Sequence, residues 1–342
     1  MDRGFSVSSP FVTEVAIQRA RCPRRGSGRR AAGAQRGAAV ITAMLVVALA
    51  TTVVATLFLR ESVAVRSVEN RLALSQTRWV ERAAVDWAKV ILRSDAAAGS
   101  VDHLGEPWAV PVAETRLDET VTAGARIGDQ QRPATLAGQL VDAQSRLNLG
   151  ALVQAGQVSA PHLEAARRLF VLLDLPESLA DSVAQRLLRG QPRTQEGRVV
   201  GAELPALTRV GDLAQLPGFD AATLERIDAF VVVIPTAGGA PAATRVNLNT
   251  APAEVLAAVI PELDLAAARR FVERRRDTFY RDLDDAAQRL DGRPVLSPAL
   301  LGVGSAYFLL RGVIRFDRVE VASETLLSRA SGRIEIVWQQ RL

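Results

Sequence analysis

From Ala38 to Leu59 the chain reads AAVITAMLVVALATTVVATLFL, 22 residues without a charge. As a helix this run extends about 33 Å, enough for a hydrocarbon layer of about 30 Å. A polar face is missing, since only four threonines interrupt the apolar positions, so the run predicts a membrane span rather than a buried soluble helix. It is also longer than the apolar core of a signal peptide, and it passes directly into more helix. From Arg60 to Arg93 there is no Pro or Gly, and Val68, Leu72, Trp79, Ala83, Trp87 and Val90 recur at helical spacing. One helix over roughly residues 38–93 is expected, its second half laying the Trp79/Trp87 stripe on a sheet of its own domain.

Beyond residue 93 the helical period stops. Glycines and prolines punctuate short alternating stretches at Pro111–Arg116, Thr120–Ile127 and Leu136–Leu147, which predict antiparallel strands. Ala306–Phe316, Arg318–Ser328 and Gly332–Gln340 read the same way. Between these strand groups the spacing predicts helices over Ala160–Leu173, Pro176–Leu188, Leu207–Leu216, Ala221–Val232, Ala251–Val259, Asp264–Arg276 and Leu283–Leu290. Strands, then helices, then strands describe an α+β fold in which an all-α domain is inserted into a sheet-bearing one. The expected boundaries are a leader at 1–37, a membrane-spanning half-helix at 38–59, a first sheet-domain part at 60–147, the helical insertion at 148–304 and closing strands at 305–342.

Charge sharpens this picture. The chain of 342 residues carries a net +5 and a pI near 10.4, values that suggest nucleic acid or acidic lipid as a partner. Eight arginines lie within residues 1–37 against Asp2 and Glu14, which leaves the remainder at −1. The basicity belongs to the segment ahead of the apolar run, and it places that segment on the cytoplasmic side with the rest exported. The single cysteine, Cys22, and the two histidines, His103 and His162, exclude an intrachain disulfide and argue against a histidine-rich zinc site. No GxSxG, Walker loop, HExxH or CxxC motif occurs, Asp102-His103 reads as a polar turn, and no enzymatic activity is expected.

Gly37 ahead of a helical apolar run, with arginines before it, resembles the processing site of type IV pilins and type II secretion pseudopilins. That resemblance implies cleavage after Gly37 by a prepilin peptidase and methylation of the new N-terminus, Ala38. Most members carry Glu at the fifth mature position, and here it is Thr42. Its absence is a mark of the K-class minor pseudopilins, whose RGVALITVLLV-like segments are similar to RGAAVITAMLVVALATT here. The resemblance extends to DAQSRLNLGAL at 142–152 and RVNLNTAPAEVLAAVIPEL at 245–263, with Asp142, Asn148, Asn247, Asn249, Thr250 and Pro252 as its motif residues. It implies a pilin-like long helix on an antiparallel sheet, with a helical insertion containing helix-hairpin-helix (SAM-like) units.

The same resemblance implies a single-pass inner-membrane protein with its exported domain in the periplasm, at the tip of the pseudopilus. Its implied partners are I- and J-class minor pseudopilins, other pseudopilins and the peptidase, with the secretin and cargo as further contacts. Calcium is allowed by the resemblance without assignable ligands, the acidic run DLDD at 282–285 being better read as a helix start. A DNA receptor built on the helix-hairpin-helix units and a minor pilin of a type IV pilus are the alternatives. In the helix-hairpin-helix reading Asn249 or Thr250 is expected to cap a helix near Ala251. Against DNA, Glu262 and Asp264 in one hairpin and Asp220 in the other sit where a phosphate would approach. The arginines at 269, 270, 274, 275 and 276 read as an ion-paired surface, and no nucleic acid partner is expected.

Overall fold

A computed structural model describes residues 36–117, 134–195, 198–235, 244–290, 292–316 and 319–342. With no Gly or Pro to break it, helix α1 runs over Arg36–Ala98 and ends where Gly99 donates to the Asp95 carbonyl. Residues up to Val65 and residues from Arg66 onward form two separate units. Within the first, every side chain described from Ala38 to Val65 is exposed. Its hydroxyls are satisfied locally: Thr42, Thr51, Thr52 and Thr56 each donate to a carbonyl one turn earlier, which suits an apolar surrounding. The helix contains the one candidate membrane span among the described residues, with mean hydropathy 2.4 and nothing buried in that window.

The second unit is organised on a five-stranded antiparallel sheet whose spatial order follows the chain: β1 (Val112–Leu117), β2 (Ala134–Asp142), β3 (Tyr307–Phe316), β4 (Val319–Ser328) and β5 (Glu335–Arg341). β2 and β3 pair from Phe308 opposite Asp142 to Phe316 opposite Ala134, although the whole helical region separates them in sequence. Thr120–Ile127, expected as a strand, lies outside the described residues. Alternation sorts the sheet's two faces. Leu140, Phe308, Leu310 and Leu327 pack with Val85, Ala88 and Leu92 of α1 and with Trp108. Tyr307, Leu309 and Leu326 pack on the other face with Ala143, Val232 and Ile234.

The face α1 turns to the sheet is not the expected one. Val68, Leu72, Trp79 and Trp87 are 56%, 45%, 65% and 49% exposed, and Ala83 is exposed with them. The buried face is instead Ala73, Thr77, Val80, Glu81, Val85, Ala88 and Leu92. Helix and sheet approach through small and β-branched side chains, so Trp79 is left exposed, while Ala83 and the half-exposed Trp87 line the cavity between helix and sheet. Glu81 remains buried because Arg341 of β5 meets it at 2.8 Å.

The helical region carries its own core, centred on Leu169, Phe170, Leu213, Ile227, Leu256, Phe271 and Tyr280. Its helices are α2 (Ala160–Leu172), α3 (Ser178–Arg189), α4 (Ala221–Asp228), α5 (Ala253–Val259), α6 (Leu265–Asp277) and α7 (Leu283–Arg289). Three expectations change. The segment at 207–216 is a 3₁₀ helix over Val210–Gln215 rather than an α-helix. The helix expected through Val232 stops at Asp228, because Val231 and Val232 form a short parallel bridge with Leu147 and Asn148. The strand expected to reach Leu147 ends at Asp142, where the Asp142 side chain takes the Gln144 N–H and turns the chain. A second parallel bridge, Val246–Asn247 with Leu301–Gly302, closes the other side of the neck where the helical region leaves and rejoins the sheet.

Candidate functional site

Five distant stretches of the chain converge on the neck. Asp142 ends β2, Asn247 and Thr250 begin the VNLNTAP turn, Asp102 follows α1, Ser305 precedes β3, and Arg329 follows β4. The Asp142 carboxylate accepts from the Gln144 N–H at 2.7 Å, Thr250 Oγ1 at 2.5 Å, Ser305 Oγ at 2.6 Å and Asn247 Nδ2 at 3.1 Å. Asn247 Nδ2 also lies 3.1 Å from the Asp102 carbonyl, and its Oδ1 accepts the Asn249 N–H at 2.9 Å. Asp102 accepts from the Ser305 N–H at 2.6 Å and pairs with Arg329, whose guanidinium also meets Asp95 at 2.8 Å. Every polar group in this knot has a partner, which is the condition for burying it without large cost.

The knot is also electrostatically loaded. Burial pushes the Asp142 carboxyl above the usual carboxylate range against the pull of its four donors. Asp102 is pushed up to about 7, chiefly by burial; the Ser305 N–H and Arg329 pull it down and the Asp142 charge adds to the rise. Arg329 therefore serves as counter-ion to Asp95 and Asp102 together.

The remaining motif residues clamp the helical region internally. Asn148 Oδ1 accepts the N–H groups of Gly150 and Ile234, and its Nδ2 donates to Thr244. Asn249 holds Tyr280 at two points, accepting its N–H at 2.8 Å and donating to its carbonyl at 2.9 Å. Neither Asn249 nor Thr250 caps the following helix, contrary to expectation. Their side chains are taken by Tyr280 and Asp142, and Pro252 is the residue at the start of α5, with no side-chain cap. Arg275, expected on the surface, is part-buried and donates to the Leu248 and Ala251 carbonyls, and burial lowers it to about 10.

The hairpin units leave no phosphate cradle at two helix starts. Asp220 takes the Thr223 N–H of α4 and Asp264 takes the Ala267 N–H of α6, so each dipole is answered by the chain's own carboxylate. Asp282 caps α7 on the Asp285 N–H, and Asp285 pairs with Arg289, so the DLDD run is committed as a helix start. Carboxylate oxygens of Asp95, Asp102 and Glu106 lie within 4.8 Å of one another. That set does not fit calcium, because the Arg329 guanidinium already sits on two of the three acids and a second cation would face its charge.

Sequence and structure comparisons match this geometry. Two family profiles, both described as type II secretion system protein K, match residues 145–236 and 246–303, the two halves of the helical region on either side of the neck. Over these residues the chain is similar to the protein K family of type II secretion systems. Type II secretion system protein K of Pseudomonas aeruginosa is 28% identical over 310 residues, covering 84% of this chain and 87% of that protein. The crystal structure of the GspK–GspI–GspJ complex from enterotoxigenic Escherichia coli contains a chain of the same fold, with TM-score 0.62 and 19% identity over 80% of this chain and 99% of that one. The pilin-like α+β fold is shared with the chain in that complex, and the described residues here contain one long apolar N-terminal helix.

Motif reading found Asp142, Asn247 and Thr250 but missed the other half of the knot. Asp102 read as a turn, and Ser305 and Arg329 carried no signal, because their partners lie 203 and 227 residues away. Thr42 is placed in the apolar helix with its hydroxyl bonded to the Ala38 and Ala39 carbonyls at 3.0 Å.

Proposed function

We propose that this chain is the tip subunit of the type II secretion pseudopilus, a non-enzymatic protein that initiates or caps assembly. The observation that carries the reading is the apolar stripe of α1 at Val68, Leu72 and Trp79, which its own sheet does not cover. Such a stripe is suited to neighbouring helices. The I- and J-class pseudopilins are its partners in this reading, supported by the solved complex that contains a K, an I and a J subunit.

Thr42 supports a terminal position. A carboxylate at the fifth mature residue would neutralise the N-terminal amine of a neighbouring subunit in the apolar bundle, where a bare charge is costly. A subunit with nothing above it has no such amine to meet. In this reading residues 1–37 are removed on the cytoplasmic side, Ala38 becomes the methylated N-terminus, residues 38–59 sit in the inner membrane, and residues 148–304 form an inserted domain in the periplasm. Gly37→Ala blocks processing and secretion; normal secretion with an uncleaved leader sinks the proposal. The subunit is also scarce relative to the major pseudopilin, and equimolar amounts in isolated pseudopili would remove the tip assignment.

A further inference from the structure

A polar cavity of about 320 Å³ lies beside the neck, between the insertion-facing side of the sheet and the chain near α4. Arg146 lines it while only 6% exposed. Among the described residues this guanidinium makes one hydrogen bond, to the Asp228 carbonyl at 2.8 Å, and no ion pair. Burial, and after it the nearby Arg311 charge, hold Arg146 below the usual guanidinium range against the pull of the Asp228, Glu324 and Asp142 carboxylates, none of which pairs with it directly. Trp338 also lines the cavity, and its indole Nε1 is a buried donor with no hydrogen-bond partner.

The acids around the cavity are already engaged. Arg311 meets Glu324 at 2.7 Å and Asp228 at 3.0 Å, and Arg209 faces Asp212 at 3.7 Å. Arg209 also donates to Gln340, and Gln340 to Glu324, which locks the ring. Three arginines thus stand against three carboxylates, and the unpaired member is Arg146. The lining is balanced in charge overall, but Arg146 alone among the three arginines makes no ion pair. A single negative charge is therefore best met there, and a doubly charged phosphate or sulfate is disfavoured. Val231 and Leu309 form apolar wall beside the donors.

We propose that this cavity binds a monocarboxylate with a short apolar tail, its oxygens accepting from the Arg146 guanidinium and the Trp338 indole. A guanidinium matches a planar carboxylate in shape and charge. The carboxylate belongs to a small free acid or to the terminus of another polypeptide, and these two sources share the same recognition.

The test uses the full-length protein in detergent micelles, titrated with sodium butyrate against sodium chloride at equal ionic strength. A saturable rise in thermal midpoint with butyrate alone is expected. Arg146→Lys and Trp338→Phe should each weaken the response at least tenfold. Trp338→Phe removes the donor and keeps an aromatic side chain of smaller volume, so its midpoint without butyrate reports whether the variant stays folded. Acetyl-glycyl-leucine that acts more strongly than butyrate, with its carboxamide silent, assigns the site to a chain terminus; butyrate acting more strongly assigns it to a free acid. An unsaturable response, an equal response to sulfate, or the same response in both folded variants overturns the proposal.

Discussion

Replacing Asn247 with Ala tests the neck where it is most connected. The substitution removes the donor that reaches the Asp142 carboxylate at 3.1 Å, the Asp102 carbonyl at 3.1 Å and Ser305 Oγ at 2.9 Å. It also orphans the Asn249 N–H, which Asn247 Oδ1 accepts at 2.9 Å. An unsatisfied buried N–H costs about 1–3 kcal/mol, and a lost bond to a buried carboxylate about 1.5–3 kcal/mol. The expected loss is therefore roughly 3–5 kcal/mol, or a fall in thermal midpoint of about 6–12 °C for a unit of this size. The assay is thermal unfolding of the full-length protein in detergent, followed by circular dichroism. A double-mutant cycle with Thr250→Val sharpens it, since Asn247 and Thr250 donate to the same Asp142 oxygen. The pair should be non-additive by more than about 0.5 kcal/mol. A loss below about 1 kcal/mol for Asn247→Ala, or strict additivity, refutes the view that these residues hold the neck as one network.

Three further outcomes are expected. Asp102 is pushed up to about 7 from 3.8, so the folded protein keeps a proton that the unfolded chain releases; stability falls as pH rises between about 4 and 7 and then levels off. The thermal midpoint should be lower at pH 8 than at pH 5.5, and Asp102→Asn should flatten the profile; a flat wild-type profile contradicts this. Under α1 the row Gly138 and Gly312 lines a cavity of about 250 Å³. A Cβ at Gly312 meets only the Ala137 carbonyl at 3.7 Å, whereas one at Gly138 meets the Arg311 carbonyl at 3.0 Å. Gly312→Ala should stabilise by about 0.5–1 kcal/mol and Gly138→Ala should destabilise; the reverse order in denaturant melts would refute the packing argument. Trp79→Arg should leave the thermal midpoint unchanged while reducing co-purification with partner pseudopilins, because Trp79 is 65% exposed; a large drop in midpoint would mean the indole packs within its own fold.

Regular elements were legible where local pattern decides them. The gap in Gly and Pro marked α1, and alternation marked β3, β4 and β5 within a few residues. What failed was decided by contacts remote in sequence. The two apolar stripes of α1 both repeat at helical spacing, and the tryptophans drew attention to the stripe that stays exposed, while the packed face consists of small residues such as Ala73 and Ala88. The run from Ala221 to Val232 continues a helical pattern, yet Val231 leaves the helix because Leu147 offers a strand partner. Asp102 is buried where the Ser305 N–H and Arg329, both remote in sequence, meet its carboxylate. Asn249 and Thr250 have the chemistry of helix caps, and tertiary partners outcompete that local use.

The pairing of β2 with β3 sets an order of events. Asp142 and Ser305, hydrogen-bonded in the knot, stand 163 residues apart, so bringing them together from an open chain costs on the order of 4–5 kcal/mol in closure entropy. The helical region has its own core and ties each of its ends to its middle through a short bridge, so its folding shortens that gap before the sheet is complete. Until residues beyond Ser305 emerge, β2 presents an unpaired edge, an invitation to wrong partners. A chain cut short after the helical region would retain a folded insertion and an adhesive half-sheet. The 36 residues from Tyr307 to Leu342 supply the strands that cover that edge and complete the sheet.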